Sequence, residues 1–250
     1  MCATATNPPP LFSLITVTLN ARAGLQKTQC SIAAQTSKNY EWIVIDGASS
    51  DGTQEWLESM SARFISEPDY GLYDAMNKGI EKARGHYLLF LNAGDELAAP
   101  DTLQAITDFI GARKPGFVYG DAQEGPHLKH ARNHSHINKG MITHHQAMLY
   151  DRAALQNLRY DTGYKIAADY DFTARFLLTK PEALYCPFPI CIFESGGLSQ
   201  QQAKAARQEE AAIRRTLGLT STLSRALIYM RQSAAHILKT RIPALYRIMR

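Results

Sequence analysis

Tyr87-Leu88-Leu89-Phe90-Leu91-Asn92-Ala93-Gly94-Asp95-Glu96 runs from five apolar residues straight into a short polar turn ending in two acids. The apolar run reads as a buried strand, and the turn falls at its carboxyl end, where open α/β sheets bind ligands. A carboxylate in that position suits a metal ion. Upstream, Trp42-Ile43-Val44-Ile45-Asp46-Gly47 repeats the pattern of apolar strand and acidic turn. Between the two, Ser66-Glu67-Pro68-Asp69-Tyr70-Gly71 leads into Leu72-Tyr73-Asp74-Ala75-Met76-Asn77-Lys78-Gly79-Ile80, which has helical spacing.

Working outward, Leu14 to Leu19 is a β-branched run and a helix is expected near Leu25 to Gln35. Glu41 to Asp46 gives a second strand, and Thr53 can cap a helix toward Met60 with Glu55 in its first turn. Arg63 to Ser66 gives a third strand, Leu72 to Ala83 a helix, Tyr87 to Leu91 a fourth strand. Asp101 and Gln104 look like a capping box, and Phe117 to Tyr119 form a fifth strand. Strands alternating with helices predict an α/β fold with a mostly parallel, doubly wound sheet. After Gly120 the alternation loosens. His127 to Asn138 is polar and histidine-rich, Ala147 to Tyr150 reads as a strand and Asp169 to Leu178 as a helix. Pro181, Pro187 and Pro189 are expected to break the chain into short extended pieces.

The 250 residues, 45% of them hydrophobic, suffice for a full core. Cys2, Cys30, Cys186 and Cys191 form neither a CxxC pair nor a regular framework, so reduced thiols in a cytoplasmic protein are expected. Met1 to Pro10 has no basic start or apolar region, so no secretory signal is expected. The net charge of +4 is unevenly distributed. From Ala211 to Arg250 there are eight Arg or Lys and no acid, which leaves 19 basic against 23 acidic residues in the rest. In that tail Leu223, Leu227, Met230, Ala234, Ile237 and Leu238 recur at helical steps, giving one apolar face. Two readings stand equally: a helix packed on the body, or a peripheral attachment to an anionic membrane surface on the cytoplasmic face of the inner membrane. Nucleic acid is not an expected partner, because only Tyr229 and Tyr246 interleave the basic residues.

The segments 42–53, 66–80 and 87–96 together resemble the family 2 glycosyltransferases of the GT-A fold, over roughly Leu14 to Ser199. The resemblance implies a catalytic domain over 13–200, after a lead-in at 1–12 and before a basic helical tail at 201–250. It implies a metal-dependent, inverting sugar transferase with a nucleotide-sugar donor, UDP-sugar first, and a glycan or lipid-linked acceptor in cell-surface polysaccharide or glycolipid biosynthesis. Mn²⁺ or Mg²⁺ is the implied cofactor, both taking oxygen ligands, and Asp95 is the implied metal carboxylate. Family members show further aspartates in this turn, where the chain has Asn92, Ala93 and Gly94.

Asp46 matches the acid that faces the nucleotide base, with Thr18 and Asn20 beside it. Asn92 lies in the same crevice, and Asp74 or Asn77 would face the donor, although Asp74 and Lys78 at i, i+4 also read as a surface salt bridge. Arg84 could reach the diphosphate or be a favourable helix C-terminal charge. Ala168-Asp169-Tyr170-Asp171 resembles the family segment that carries the base. The resemblance gives Asp169 that role, with Asp171 closer to a structural helix-start acid. His145 resembles the histidine of a His-Gln pair and belongs to the donor or acceptor pocket, with His144 in a loop. His127, His130, His134 and His136 read as a mobile acceptor-side loop. Phe193 to Ser199 resembles a late motif whose glycines let a loop fold over the donor, with a plain turn as the other reading. A nucleotidyltransferase is the competing enzyme, but Leu19 to Gly24 is poor in the glycine its signature loop needs. A degenerate nucleotide- or glycan-binding module is the non-enzymatic alternative, motivated by Gly94 and Ala168.

Overall fold

The computed structural model describes residues 8–60, 62–194, 196, 202–221, 223, 224, 226–230, 233 and 234. Residues 1–7 of the lead-in, the motif positions Ser195 and Gly197 to Ser199, and most of the tail beyond Met230 lie outside the described residues.

The first four strands are β1 (Phe12–Thr18), β2 (Tyr40–Asp46), β3 (Arg63–Ser66) and β4 (Tyr87–Phe90). They pair in parallel in the order β3-β2-β1-β4. All seven residues of β1 and all four of β4 are buried, as helices on both faces demand of parallel strands. Alternating side chains split the core in two. Ile15, Val17, Leu88 and Phe90 meet Met76 and Ile80 of α3 (Leu72–Lys82) and Phe172 and Phe176 of α6 (Ala168–Leu178). On the other face Phe12, Leu14, Leu89 and Leu91 meet Ile32 of α1 (Arg22–Ala33) and Leu103 and Ile106 of α4 (Thr102–Ile110). The short α2 (Thr53–Ser59) adds Leu57 beside Leu25 and Val44.

Beyond β4 the sheet turns mixed. β8 (Met148–Asp151), followed by the single turn α5 (Arg152–Leu155), runs antiparallel between β4 and β6 (Phe117–Glu124). β9 (Ala183–Phe193) is parallel to β6, and the two-residue β5 (Glu96–Leu97) is antiparallel to β9. Six of the nine strands among the described residues, β1 to β4, β6 and β9, share one direction. α7 (Ala203–Thr216) follows β9 and buries Ile213 in the same cluster as α6.

Several local expectations are corrected. Residues 181–189 are not short pieces: β9 is one strand of 11 residues, and its register against β6 slips between Gly120, Asp121 and Ala122, opposite Pro187 and Pro189. The bulges accommodate residues that lack a ladder donor. The histidine-rich segment begins as a hairpin, β7 (His127–Lys129) on β6, and His130 pairs with Asp121 at 2.8 Å. Gly52, not Thr53, stands at the start of α2, and Asp51 accepts from the Thr53 N–H. Asp101 makes no side-chain cap, and the Thr102 hydroxyl accepts from the Ala99 N–H instead.

At the amino ends of the strands Glu41 gathers Ser13, Arg63, Arg84 and the Gly85 N–H. Burial pushes its carboxyl up, but these hydrogen bonds and cations hold it below the usual range. Gly85 enters β4 so close to β1 that a Cβ would lie 2.6 Å from the Ser13 nitrogen and 2.7 Å from the Phe12 carbonyl carbon. Gly85→Ala must therefore push two strands apart, and we expect it to lower stability by about 1–3 kcal/mol. Thermal unfolding of the two proteins measures this.

Candidate active site

The carboxyl ends of β2, β1 and β4 lie side by side. Asn20 adopts a left-handed φ of 50°. Its side-chain oxygen accepts from the Ser50 N–H at 2.8 Å, and its own N–H donates to the Ser49 hydroxyl at 2.7 Å. Asp46 is fully buried and accepts from the Ser49 N–H at 3.0 Å and from the hydroxyls of Ser49 and Ser66. Both residues thus shape the loop at 47–50, and the Asp46 oxygens face hydroxyls rather than open space. Thr18, 7% exposed, has a hydroxyl with no hydrogen-bond partner.

The turn after β4 is built around Gly94 at φ 103°. The Thr28 hydroxyl of α1 accepts from the Gly94 N–H at 3.0 Å and donates to the Asp95 carbonyl at 2.7 Å. The Asp95 carboxylate is 3% exposed and accepts from the Gln146 amide at 2.7 Å and the Glu194 N–H at 2.8 Å. Burial raises its pKa, opposed by those two hydrogen bonds and by His145. Glu194, at the end of β9, rests its carboxylate on Gly94, where an added Cβ would come 1.9 Å from Oε2. An acid from 100 residues away thus stands where the family resemblance expects a side chain at position 94.

No group of three or more His, Cys, Asp or Glu arranged to hold a metal exists among the described residues. The residue types nevertheless fit a hard cation: the Asp95 carboxylate shares its turn with Asn92 and bonds the NH2 group of Gln146, and the amide oxygens of both residues are buried without protein partners. Mg²⁺ and Mn²⁺ need only one or two carboxylates when phosphate oxygens complete the shell.

Next to this turn a cavity of about 270 Å³ is lined by Asn92, His145 and Asp169, with Leu72, Tyr73, Met141 and Phe193 as apolar wall. The His145 ring lies 3.3 Å from the Asn92 amide nitrogen through Nε2, and 3.4 Å from the Asp169 carboxylate through Nδ1. Three residues, from the turn after β4, the stretch before β8 and α6, thus form one chain across the cavity. His144, in the loop that leads into the 3-10 turn at 145–147, lines it too, so the loop position does not keep it out of the cavity. The His144 ring stacks on Phe193 with centroids 4.1 Å apart. Burial, with the charges of Lys129 and His145, pushes its pKa down to about 3, so it is neutral at working pH.

Other sequence candidates have different surroundings. Arg84 lies before β4, at the opposite end of the strands from Asp95, and bonds Glu41; a diphosphate over the carboxyl ends is out of its reach. Asn77 exchanges both amide groups with the Tyr160 backbone, at 3.0 and 2.8 Å, so it ties α3 to the loop before α6. Asp74 caps the Tyr70 N–H and sits 3.7 Å from Lys78, which pairs more closely with Glu67 at 2.8 Å. Asp171, 4% exposed, pairs with Arg175. Gln146 and Glu194 lay inside quoted motifs without being singled out, and only long-range contacts give them their positions.

A Rossmann-like sheet with acidic turns at its carboxyl ends, extended by a mixed half that carries a second acid to the same cavity, is the GT-A architecture. The sequence profile of glycosyl transferase family 2 matches residues 13–169, and the chain belongs to that family. It is 36% identical over 186 residues to a Mycobacterium bovis PGL/p-HBAD biosynthesis glycosyltransferase, covering 66% of this chain and 69% of that protein. Among solved structures it resembles S. aureus TarS residues 1–349 in complex with UDP-GlcNAc, with a TM-score of 0.69, 16% identity and coverage of 92% and 74%. It also resembles the mannosyltransferase PcManGT of Pyrobaculum calidifontis in complex with GDP-Man and Mn²⁺, with a TM-score of 0.65, 18% identity and coverage of 96% and 79%.

Because burial raises the pKa of Asp95, its ionisation is costly in the folded state, and the cost is absent below the unfolded pKa and grows as pH rises toward the folded one. Asp95→Asn removes that charge, and a flip of the Gln146 amide restores the hydrogen bond. We expect the variant to melt above the parent at pH 7, with the gap closing toward pH 4; melting curves across that range check it.

Proposed function

We propose that this protein is an inverting glycosyltransferase that moves a sugar from a nucleotide-sugar donor, UDP-sugar first, to a hydroxyl of a glycan or lipid-linked acceptor in cell-surface polysaccharide or glycolipid biosynthesis. The observation that carries the reading is the chain Asn92–His145–Asp169 across one cavity, with Asp95 held directly behind it by Gln146. The relative named for PGL/p-HBAD biosynthesis and the UDP-GlcNAc and GDP-Man complexes of the structural neighbours support the acceptor and donor classes.

In this reading Thr18, Asn20 and Asp46 form the nucleoside floor. Asp95, with the unpaired Asn92 oxygen, would hold a divalent ion, which when bound supplies Lewis-acid stabilisation of the departing diphosphate. Asp169 accepts the proton of the acceptor hydroxyl as the oxygen attacks the anomeric carbon from the side opposite the diphosphate. For this it must come within roughly 2.6–3.2 Å of that hydroxyl. His145 holds Asp169 in orientation through Nδ1, and the apolar wall excludes water that would compete as acceptor.

The test is nucleotide release from UDP-glucose, UDP-GlcNAc and GDP-mannose with Mn²⁺ or Mg²⁺. We expect turnover with one donor, loss in chelator, and a decrease of roughly 10²–10⁴-fold in Asp169→Asn with nucleotide affinity retained. Pyrophosphate release from a nucleoside triphosphate and a sugar phosphate would instead indicate a nucleotidyltransferase. Binding without release from any donor would indicate a non-catalytic module.

The tail supports a further element of this reading, attachment to an anionic membrane surface. No described helix is long and apolar enough to cross a membrane. Leu223, Leu227 and Met230 are 73%, 54% and 58% exposed in the segment without acids. Arg214 does not contribute, being fully buried against Tyr170 and Glu210. Removal of 221–250 should abolish co-sedimentation with anionic vesicles, and salt should weaken the intact protein's attachment. An intact protein that ignores such vesicles at low salt refutes the attachment.

A further inference from the structure

Asp169 sits at the start of α6, whose N-cap residue, Ala167, has no side chain able to cap. Within the helix the Tyr170 N–H donates to the Asp169 carboxylate at 2.8 Å, and the N–H groups of the three residues that lead into it are satisfied from another element. Glu209 of α7 accepts from the N–H of Lys165 at 2.9 Å through one oxygen, and from those of Ile166 at 2.9 Å and Ala167 at 2.8 Å through the other. From the opposite side the Tyr73 hydroxyl donates to the Ile166 carbonyl at 2.6 Å. The segment delivering Asp169 is therefore gripped on both backbone polarities. α7 is itself clamped down: Arg214, fully buried, lies 5.6 Å over the Tyr170 ring and 3.2 Å from Glu210, which lines the cavity with Ala206. All of α7 lies beyond residue 169, where the family match ends.

We propose that Glu209 is a positioning residue for the reaction: it fixes the backbone at 165–167 so that the Asp169 carboxylate meets the acceptor hydroxyl. The inference rests on the reading of Asp169 as the base. A carboxylate that takes three consecutive N–H groups determines the direction in which the helix starts, and with it the aim of the side chain two residues on. A misplacement of about 1 Å at a reacting group can lower the rate by roughly 10²-fold. Substrate binding on the β1, β2 and β4 loops does not pass through this contact.

The test uses the full chain with Glu209→Gln, which keeps size but removes one acceptor, and Glu209→Ala. Turnover is followed by nucleotide release with whichever of UDP-glucose, UDP-GlcNAc and GDP-mannose the parent accepts. Amide exchange at 165–167 is read alongside. We expect kcat to fall roughly 10- to 10²-fold, KM for the donor and affinity for the free nucleotide to stay unchanged, and exchange at 165–167 to accelerate. In single-turnover measurements Asp169→Asn/Glu209→Ala should be no slower than Asp169→Asn alone, because the aim of an absent base is irrelevant. Full activity in both Glu209 variants, parallel loss of nucleotide affinity, or a further loss in the double variant overturns the positioning role while leaving Asp169 as base. Full turnover in Asp169→Asn overturns the base assignment and this inference with it.

Discussion

Three distant pieces of chain meet on one carboxylate. Asp95 follows β4, the Gln146 amide that donates to it precedes β8, and the Glu194 N–H that donates to it ends β9. Each piece terminates or starts a strand, so the hydrogen bonds fix where those strands end relative to one another. The crevice over the sheet inherits its shape from this arrangement. A buried acid is unfavourable by itself, and the two donors make it tolerable; a neutral amide would suit the fold better than the acid does.

Around that point the molecule divides its labour. The parallel half provides loops that are braced internally, by Asn20 on Ser50, by Asp46 on Ser49 and Ser66, and by Thr28 on the Gly94 turn. The mixed half and the helices beside it bring titratable groups to the cavity, His144 just before a 3-10 turn, His145 on it and Asp169 on α6, while Glu194, just after β9, stands over the Gly94 turn. In the proposed reaction, loops braced in one half and an acid held from the other would let binding and proton transfer be tuned independently. Of the two adjacent histidines, His144 stacks on Phe193 and has its pKa pushed down by burial together with the charges of Lys129 and His145, while His145 faces Asp169.

What sequence reveals here follows the range of the interactions involved. Apolar runs ending in acidic turns are local, so β1 to β4, α1 to α3 and the position of Asp95 were legible from spacing. β5, with two residues, has no period to detect. The direction of β8 depends on its neighbours and not on its own residues, and Pro187 and Pro189 argued against a long strand because a register slip is invisible in one chain segment. Arg84 was misplaced because a helix C-terminus says nothing about which end of the sheet it occupies. Gln146 and Glu194 acquire their roles from partners 51 and 99 residues away. Glu209 reads as one more acid on an exposed helix until its three backbone partners are seen.

The place of β8 has a consequence for how the chain reaches its fold. The two halves of the sheet touch through a strand that is synthesised after both of its neighbours, with 57 residues between Phe90 and Met148. Until it arrives, β4 and β6 each present an open edge of unpaired N–H and C=O groups. Such edges recruit other chains when they persist. Closure over so long a separation is slow compared with helix formation, since loop entropy must be overcome before the contact rewards it. The domain therefore matures as a unit, and a nascent chain released before residue 151 would carry a complete parallel half, β3-β2-β1-β4, with an adhesive flank.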